Sequence, residues 1–208
     1  MLDIHWPLFL VASLVIIATP GQDMILVMSR SITHGTRAGV ATAAGVSVGL
    51  VGHTTLATLG LGALLSASEW LFTAIKLVGA AYLVYLGVQL LRTRPTQLVA
   101  APSQPQAQSR MFFSGATSNL SNPKIAVFYF AFLPQFLQPQ AAHPTLAILV
   151  LGLVFAALTF VVKGPVALFA GRLSGWLRAR PSALTWLYRF SGVVMLGLAV
   201  RLALTRRD

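Results

Sequence analysis

Cysteine is absent from this chain, and acidic residues nearly so: four Asp and Glu stand against fifteen Lys and Arg. Without cysteine there is no disulfide, no thiolate nucleophile and no thiolate metal ligand, while the redox compartment stays open. The four histidines, His5, His34, His53 and His143, show no ligand spacing of the H-E-x-x-H kind, so no metal site is expected. No Walker A pattern, Rossmann fingerprint or G-x-S-x-G elbow occurs, so ATP hydrolysis and the familiar hydrolase chemistries lack a carrier and no cofactor is expected. Charge of any sign is scarce too, at 9% of residues, against about 25% in soluble domains. The opening M-L-D-I-H-W-P has no basic n-region and no small-residue cleavage site follows it, so the first apolar run is expected to stay in the protein as a span.

What the chain has instead is apolar length. Of 208 residues 56% are hydrophobic, and the mean hydropathy is +0.78, so the composition is that of an integral membrane protein whose first partner is the lipid bilayer. The net charge of +11 does not point to nucleic acid, because the basic residues fall in short gaps between apolar stretches and do not line one face with aromatics among them. A hydrocarbon core about 30 Å thick takes about 20 residues of helix. Six stretches satisfy this: Trp6 to Met28, Gly39 to Leu65, Trp70 to Leu91, Phe112 to Leu137, Thr145 to Phe169 and Trp186 to Leu204. An all-α protein of six transmembrane helices is the expected fold.

The longest polar segment, Arg92 to Arg110, is rich in Pro, Gln, Ser and Ala and reads as a flexible connector. It separates a first three-helix repeat, residues 1–91, from a second, residues 111–208, with 92–110 as linker. Because three is odd, related halves joined this way lie in the membrane with opposite orientation, as in many secondary transporters. The gaps after spans one, three and five carry Arg30 and Arg37, then Arg92, Arg94 and Arg110, then Arg172, Arg178 and Arg180; the gaps after spans two and four carry no Lys or Arg. Basic loops stay in the cytoplasm, which puts the linker inside and both termini outside, with Arg206 and Arg207 opposing that assignment.

The first span of each half is interrupted, by T-P-G-Q-D at Thr19 to Asp23 and by S-N-L-S-N-P-K at Ser118 to Lys124. Proline removes a helix hydrogen bond, and in a bilayer the freed backbone groups need protein or water as partners. Two breaks at corresponding places point to a solute site near the midplane. Among the ionisable residues within spans are Asp23, Lys76, Lys124 and Lys163, each costing roughly 2.5 to 3.5 kcal/mol at the centre of a helix. Lys76, about 9 Å along its helix from Trp70, is expected to snorkel outward as an anchor. Lys124 and Lys163 lie deeper, and Asp23, about 10 Å before Arg30, is placed to meet either.

Two readings follow. In one, an Asp-Lys pair only neutralises charge between helices, in a scaffold or subunit without transport activity. In the other, Pro20, Gly21, Gln22 and Asp23 of the first break, Asn119, Asn122, Pro123 and Lys124 of the second, and Lys163 line a water-filled path. A zwitterionic amino acid suits it, with its ammonium near Asp23 and its carboxylate near Lys124 and free N–H groups at a half-helix start. A protonatable Asp23 also offers a route for proton coupling. An intramembrane enzyme is disfavoured, since no nucleophile, base or metal-ligand set assembles from the spans. Gly45, Gly49 and Gly52 permit close helix contact, within the monomer before a dimer face, with a homo-oligomer left open. Lys163-Gly164-Pro165 reads as a break in span five, and Trp6, Trp70, Trp176 and Trp186 as interfacial belts.

Four segments, T-P-G-Q-D-M-I-L-V-M-S-R-S at Thr19 to Ser31, G-T-R-A-G at Gly35 to Gly39, K-L-V-G-A-A-Y-L-V-Y-L-G at Lys76 to Gly87 and N-P-K-I-A-V-F-Y-F-A-F-L-P-Q-F at Asn122 to Phe136, carry a resemblance. Together they resemble the lysine exporter superfamily, LysE/RhtB, in its homoserine/threonine branch, over nearly the whole chain. That resemblance implies a small six-span exporter of the bacterial inner membrane, moving amino acids or derivatives in antiport with protons. By position the family's P-G-P motif falls on Pro20, Gly21 and Gln22 and its N-P-K motif on Asn122, Pro123 and Lys124. Gln22 departs from the pattern, where a second proline is usual, and Lys163 stands where an uncharged residue is expected.

Overall fold

The computed structural model describes residues 4–67, 69–93, 107–137 and 142–204; within these, the side chains of 61–73, 75, 76, 178 and 181 lie outside the description. Most of the Arg92 to Arg110 connector, the side chain of Lys76 and the terminal Arg206 and Arg207 therefore fall outside it as well.

Among the described residues the architecture is all-helical. Helix α1 (Trp6–Ala18) starts on Pro7, where a missing N–H costs nothing, and stops before Pro20, which forces Thr19 into extended backbone (ψ 123°). Helix α2 (Gln22–His34) restarts after Gly21 and is bent 52° from α1. Gly35, at φ 88°, adopts a left-handed conformation that only glycine takes cheaply and ends α2. Helices α3 (Thr36–Ala67) and α4 (Glu69–Arg92) complete the first half. The second begins with α5 (Gln108–Leu120) and α6 (Pro123–Phe132), again broken at a proline. Here Asn122 caps α6 by accepting the Lys124 N–H at 3.1 Å. A one-turn 3-10 helix (Leu133–Phe136) follows, then α7 (Pro144–Leu168), α8 (Ala170–Ala179) and α9 (Pro181–Leu204).

Three helical stretches, Thr36–Gly60, Pro144–Leu168 and Ser182–Leu204, are long and apolar enough to cross a bilayer, and the bent α1–α2 pair makes a fourth if counted as one span. Their outward faces carry exposed aliphatic and aromatic side chains such as Val11, Leu59, Val161 and Trp186, as lipid contact requires. All six expected stretches lie on helix. Two expectations about span five and its end need correction. Lys163-Gly164-Pro165 does not break the helix: α7 continues through Pro165 to Leu168, at the loss of one i→i−4 hydrogen bond. The basic segment after it is not a plain gap but the short helix α8. Buried Ala170, Ser174 and Leu177 recur on one face of α8, while exposed Arg172 and Trp176 lie on the other.

The start of the first broken segment meets the end of the second. His5 N–H donates to Phe136 C=O at 2.8 Å and Ile4 forms an antiparallel bridge with Leu137, so α1–α2 and α5–α6 run past one another in opposite directions. Phe9, Phe128, Tyr129, Phe132, Phe136 and Phe155 seal one end in an aromatic cluster, with centroids 4.6 Å apart for Phe128 and Phe132 and 5.2 Å for Phe9 and Phe136. Helix α3 packs on α5 and α7, and α4 on α9. The α3–α5 contact is backbone on backbone. A Cβ on Gly45 would overlap the Phe112 carbonyl and lie 2.9 Å from Ala116 N, so glycine is the residue that lets the second half approach the first.

Candidate functional site

Both helix breaks open into one cavity of about 270 Å³, walled by α1, α2, α3, α4, α6, α7 and α9. Seven of the nine residues anticipated for a site line it: Pro20, Gly21, Gln22, Asp23, Asn122, Lys124 and Lys163. Asn119 stands outside the lining, fully buried, and Pro123 is not in the wall. The breaks touch directly, since Asn122 Nδ2 donates to Gln22 Oε1 at 3.4 Å. Gln22, with an amide where a proline would have none, thereby supplies a polar link between the halves.

Asp23 is the charged centre. Its Oδ2 accepts from Asn119 Nδ2 at 2.8 Å and pairs with Lys163 Nζ at 3.3 Å, the aspartate and lysine side chains being 13% and 9% exposed. Burial at that level makes the pair costly to separate. Asn119 is positioned in turn by His53, whose Nε2 lies 3.0 Å from the Asn119 carbonyl. A carbonyl only accepts, so Nε2 carries the proton in this contact. His53 is itself 2% exposed and stacked loosely beside Tyr129, with 6.0 Å between ring centroids.

Of the two deep lysines that Asp23 is placed to meet, its partner is Lys163. Asp23 lies in the first turn of α2, which packs on α7, whereas Lys124 lies in the first turn of α6 and is exposed. Lys124 lines the cavity, and among the described residues its ammonium has neither an ion-pair nor a hydrogen-bond partner. Its backbone carbonyl instead accepts from the Tyr82 hydroxyl at 3.0 Å, which ties α4 to the second break.

The first turns of α2 and α6 both reach the wall and bring the positive end of a helix dipole there; at α6 Pro123 has no N–H, and the Lys124 and Ile125 N–H groups already donate to Asn122. The remaining surface is mostly apolar, with Ile17, Leu50, Leu86, Ile125, Phe128 and Met195 prominent. Tyr82, His53 and Ser191 escape sequence reasoning. Ser191, whose hydroxyl is hydrogen-bonded to that of Thr19, joins α9 to the first break. A histidine or serine inside an apolar run is the only signal they leave.

The family model described as LysE type translocator matches residues 14–206. A homoserine/homoserine lactone efflux protein of Salmonella typhimurium is 38% identical over 174 residues, 83% of this chain and 84% of the relative. An uncharacterized membrane protein of Vibrio cholerae is 32% identical over 97% of this chain and 98% of its own length. A leucine efflux protein of Klebsiella pneumoniae is 29% identical over 94% and 92% respectively. No solved structure matches.

Proposed function

Since the chain belongs to the LysE type translocator family, a family of transporters and not of enzymes, we propose that it exports small amino acids or their derivatives across the bacterial inner membrane. The relatives named for homoserine/homoserine lactone and leucine efflux support that class of solute. The observation that carries the reading is the cavity at the junction of two helix breaks, holding the Asp23–Lys163 pair and an unpaired Lys124. A pair that only fastened helices together needs neither the cavity nor the second lysine. At about 270 Å³ the space lies just below the roughly 300 to 1,000 Å³ of drug-sized sites, which suits a small solute.

Transport is by alternating access between two inverted three-helix halves, driven by proton antiport. The opposed directions of α1–α2 and α5–α6 and the contacts between corresponding helices, α3 with α7 and α4 with α9, support this arrangement. In it α5–α6 forms the fourth span and α4 the third. Arg30, Arg37, Arg92, Arg110, Arg172 and Arg180 collect at the cytoplasmic ends, both termini face outward, and α8 lies along the cytoplasmic surface with Trp176 under Arg180, 5.4 Å from guanidinium to ring. Pro20 and Pro123 hold the breaks open, and Gln22 and Asn122 join them. Asp23, fixed by Asn119, is the group that takes and releases the proton, and Lys163 is its counter-charge when it is ionised.

The test is a resistance screen. The chain is expressed in a host sensitive to toxic amino acids and analogues, followed by efflux from cells preloaded with the solutes it protects against. Protection against at least one solute and faster efflux of that solute are expected. No protection and no efflux from an expressed, folded protein would overturn the proposal.

A further inference from the structure

Charge bookkeeping in the cavity leads to a narrower statement about the solute, which rests on the export reading above. Three charged side chains line it, Asp23, Lys163 and Lys124. Asp23 and Lys163 neutralise each other at 3.3 Å, leaving the ammonium of Lys124 uncompensated among the described residues. Among the described side chains Asp23 is the one carboxylate in the wall. The two helix N-termini that open at Gly21–Gln22 and at Asn122–Lys124 add positive potential of the same sign.

A zwitterion is poorly served by this arrangement. Its carboxylate finds Lys124, but its ammonium finds the one carboxylate already held by Lys163 and by Asn119 at 2.8 Å. The other Asp23 oxygen, Oδ1, has no hydrogen-bond partner, yet it is buried out of reach. Seating an ammonium means either displacing Lys163 or leaving a desolvated cation beside another. A monoanion has no such conflict, and the apolar wall of Ile17, Leu50, Leu86, Ile125, Phe128 and Met195 receives an aliphatic or aromatic tail.

We propose that the cavity is selective for net monoanionic carboxylates with an apolar side chain and no free ammonium, such as N-acylated amino acids. Lys124 binds the carboxylate, and Lys163 excludes the ammonium by occupying Asp23. Lys163 is thus a specificity-determining residue even where it touches no solute.

The full chain, purified and placed in nanodiscs, is titrated with four probes of similar shape: N-acetyl-leucine and 4-methylpentanoate as monoanions, leucine as zwitterion and leucinamide as cation. The same four are then tested for counterflow in proteoliposomes. Both monoanions are expected to bind about tenfold or more tighter than leucine, and leucinamide not to bind. Lys124→Gln, at an exposed and unpaired position, is expected to fold normally and lose the monoanion preference, and Lys124→Arg to recover it. Lys163→Met is expected to free Asp23 and move the preference toward leucine. Leucine binding as tightly as N-acetyl-leucine, or a preference unchanged in Lys124→Gln, overturns the proposal. Counterflow of leucine without that of either monoanion leaves the export reading standing and removes this one. Neither binding nor counterflow of any probe removes both.

Discussion

Removing one member of the Asp23–Lys163 pair is expected to cost more than removing both. At 3.3 Å and an effective dielectric constant of about 20, the Coulomb attraction is about 5 kcal/mol. Both side chains are nearly buried, at 13% and 9% exposure, so solvent screening discounts that value little. Lys163→Met leaves Asp23 ionised with only the Asn119 amide to hold it, and Asp23→Asn leaves a lone ammonium between α2 and α7. Each single variant is expected to lose about 3 to 5 kcal/mol, the cost of an uncompensated buried charge. That corresponds to about 6 to 20 °C in melting temperature for a chain of this length. The double variant Asp23→Asn/Lys163→Met retains an acceptor for Asn119 and a side chain that fills the lysine's space. It is expected to melt within a few degrees of the parent protein. The assay is thermal unfolding in nanodiscs, followed by tryptophan fluorescence, with efflux measured on the same four proteins. A double variant whose destabilisation equals the sum of the singles would refute the pairing. A double variant that folds and still exports at the parental rate would show that the charges serve the fold alone.

Proton coupling is expected to reside at Asp23, so Asp23→Asn loses pH-gradient-driven efflux in proteoliposomes while solute exchange persists; full gradient-driven activity in that variant removes the role. Gly45→Leu is expected to drive a side chain into the Phe112 carbonyl and Ala116 backbone, and overpacking against backbone costs at least about 1 to 3 kcal/mol. A melting temperature equal to the parent's would mean that α3 and α5 do not pack as described. Because the chain has no cysteine of its own, single substitutions report sidedness cleanly. In intact spheroplasts an impermeant maleimide is expected to label His143→Cys, and to label Arg110→Cys only after lysis; labelling of both from the same side contradicts the inverted arrangement.

Much of the fold was legible because a bilayer constrains sequence so tightly. Each of the six apolar stretches carries helix, and both breaks fall at the prolines that removed an N–H from the helix ladder. The helix interruptions could be placed to within a residue or two because Thr19–Pro20 and Asn122–Pro123 are local backbone effects. Pro165 misled because α7 continues through it to Leu168 despite the lost i→i−4 hydrogen bond, an outcome that the local sequence does not show. Helix α8 was hidden because its polar composition resembles that of a loop, and only its burial pattern on α2 and α9 reveals the helix.

The candidate site divides along the same line. Sequence by itself determined that a carboxylate and several lysines lie in apolar helix, that two of the helices are broken beside them, and that no thiol, metal cluster or nucleotide motif competes for the role. These follow from composition and from backbone chemistry over a few residues. Only the tertiary structure decided that Lys163, 140 residues from Asp23, takes the carboxylate while Lys124 is left unpaired, and that His53 and Tyr82 stand behind the breaks. Which of two lysines reaches an aspartate depends on the rotation and packing of α2, α6 and α7 about one another. A turn of 100° per residue around each axis moves a side chain from the cavity to the lipid without changing its depth in the membrane.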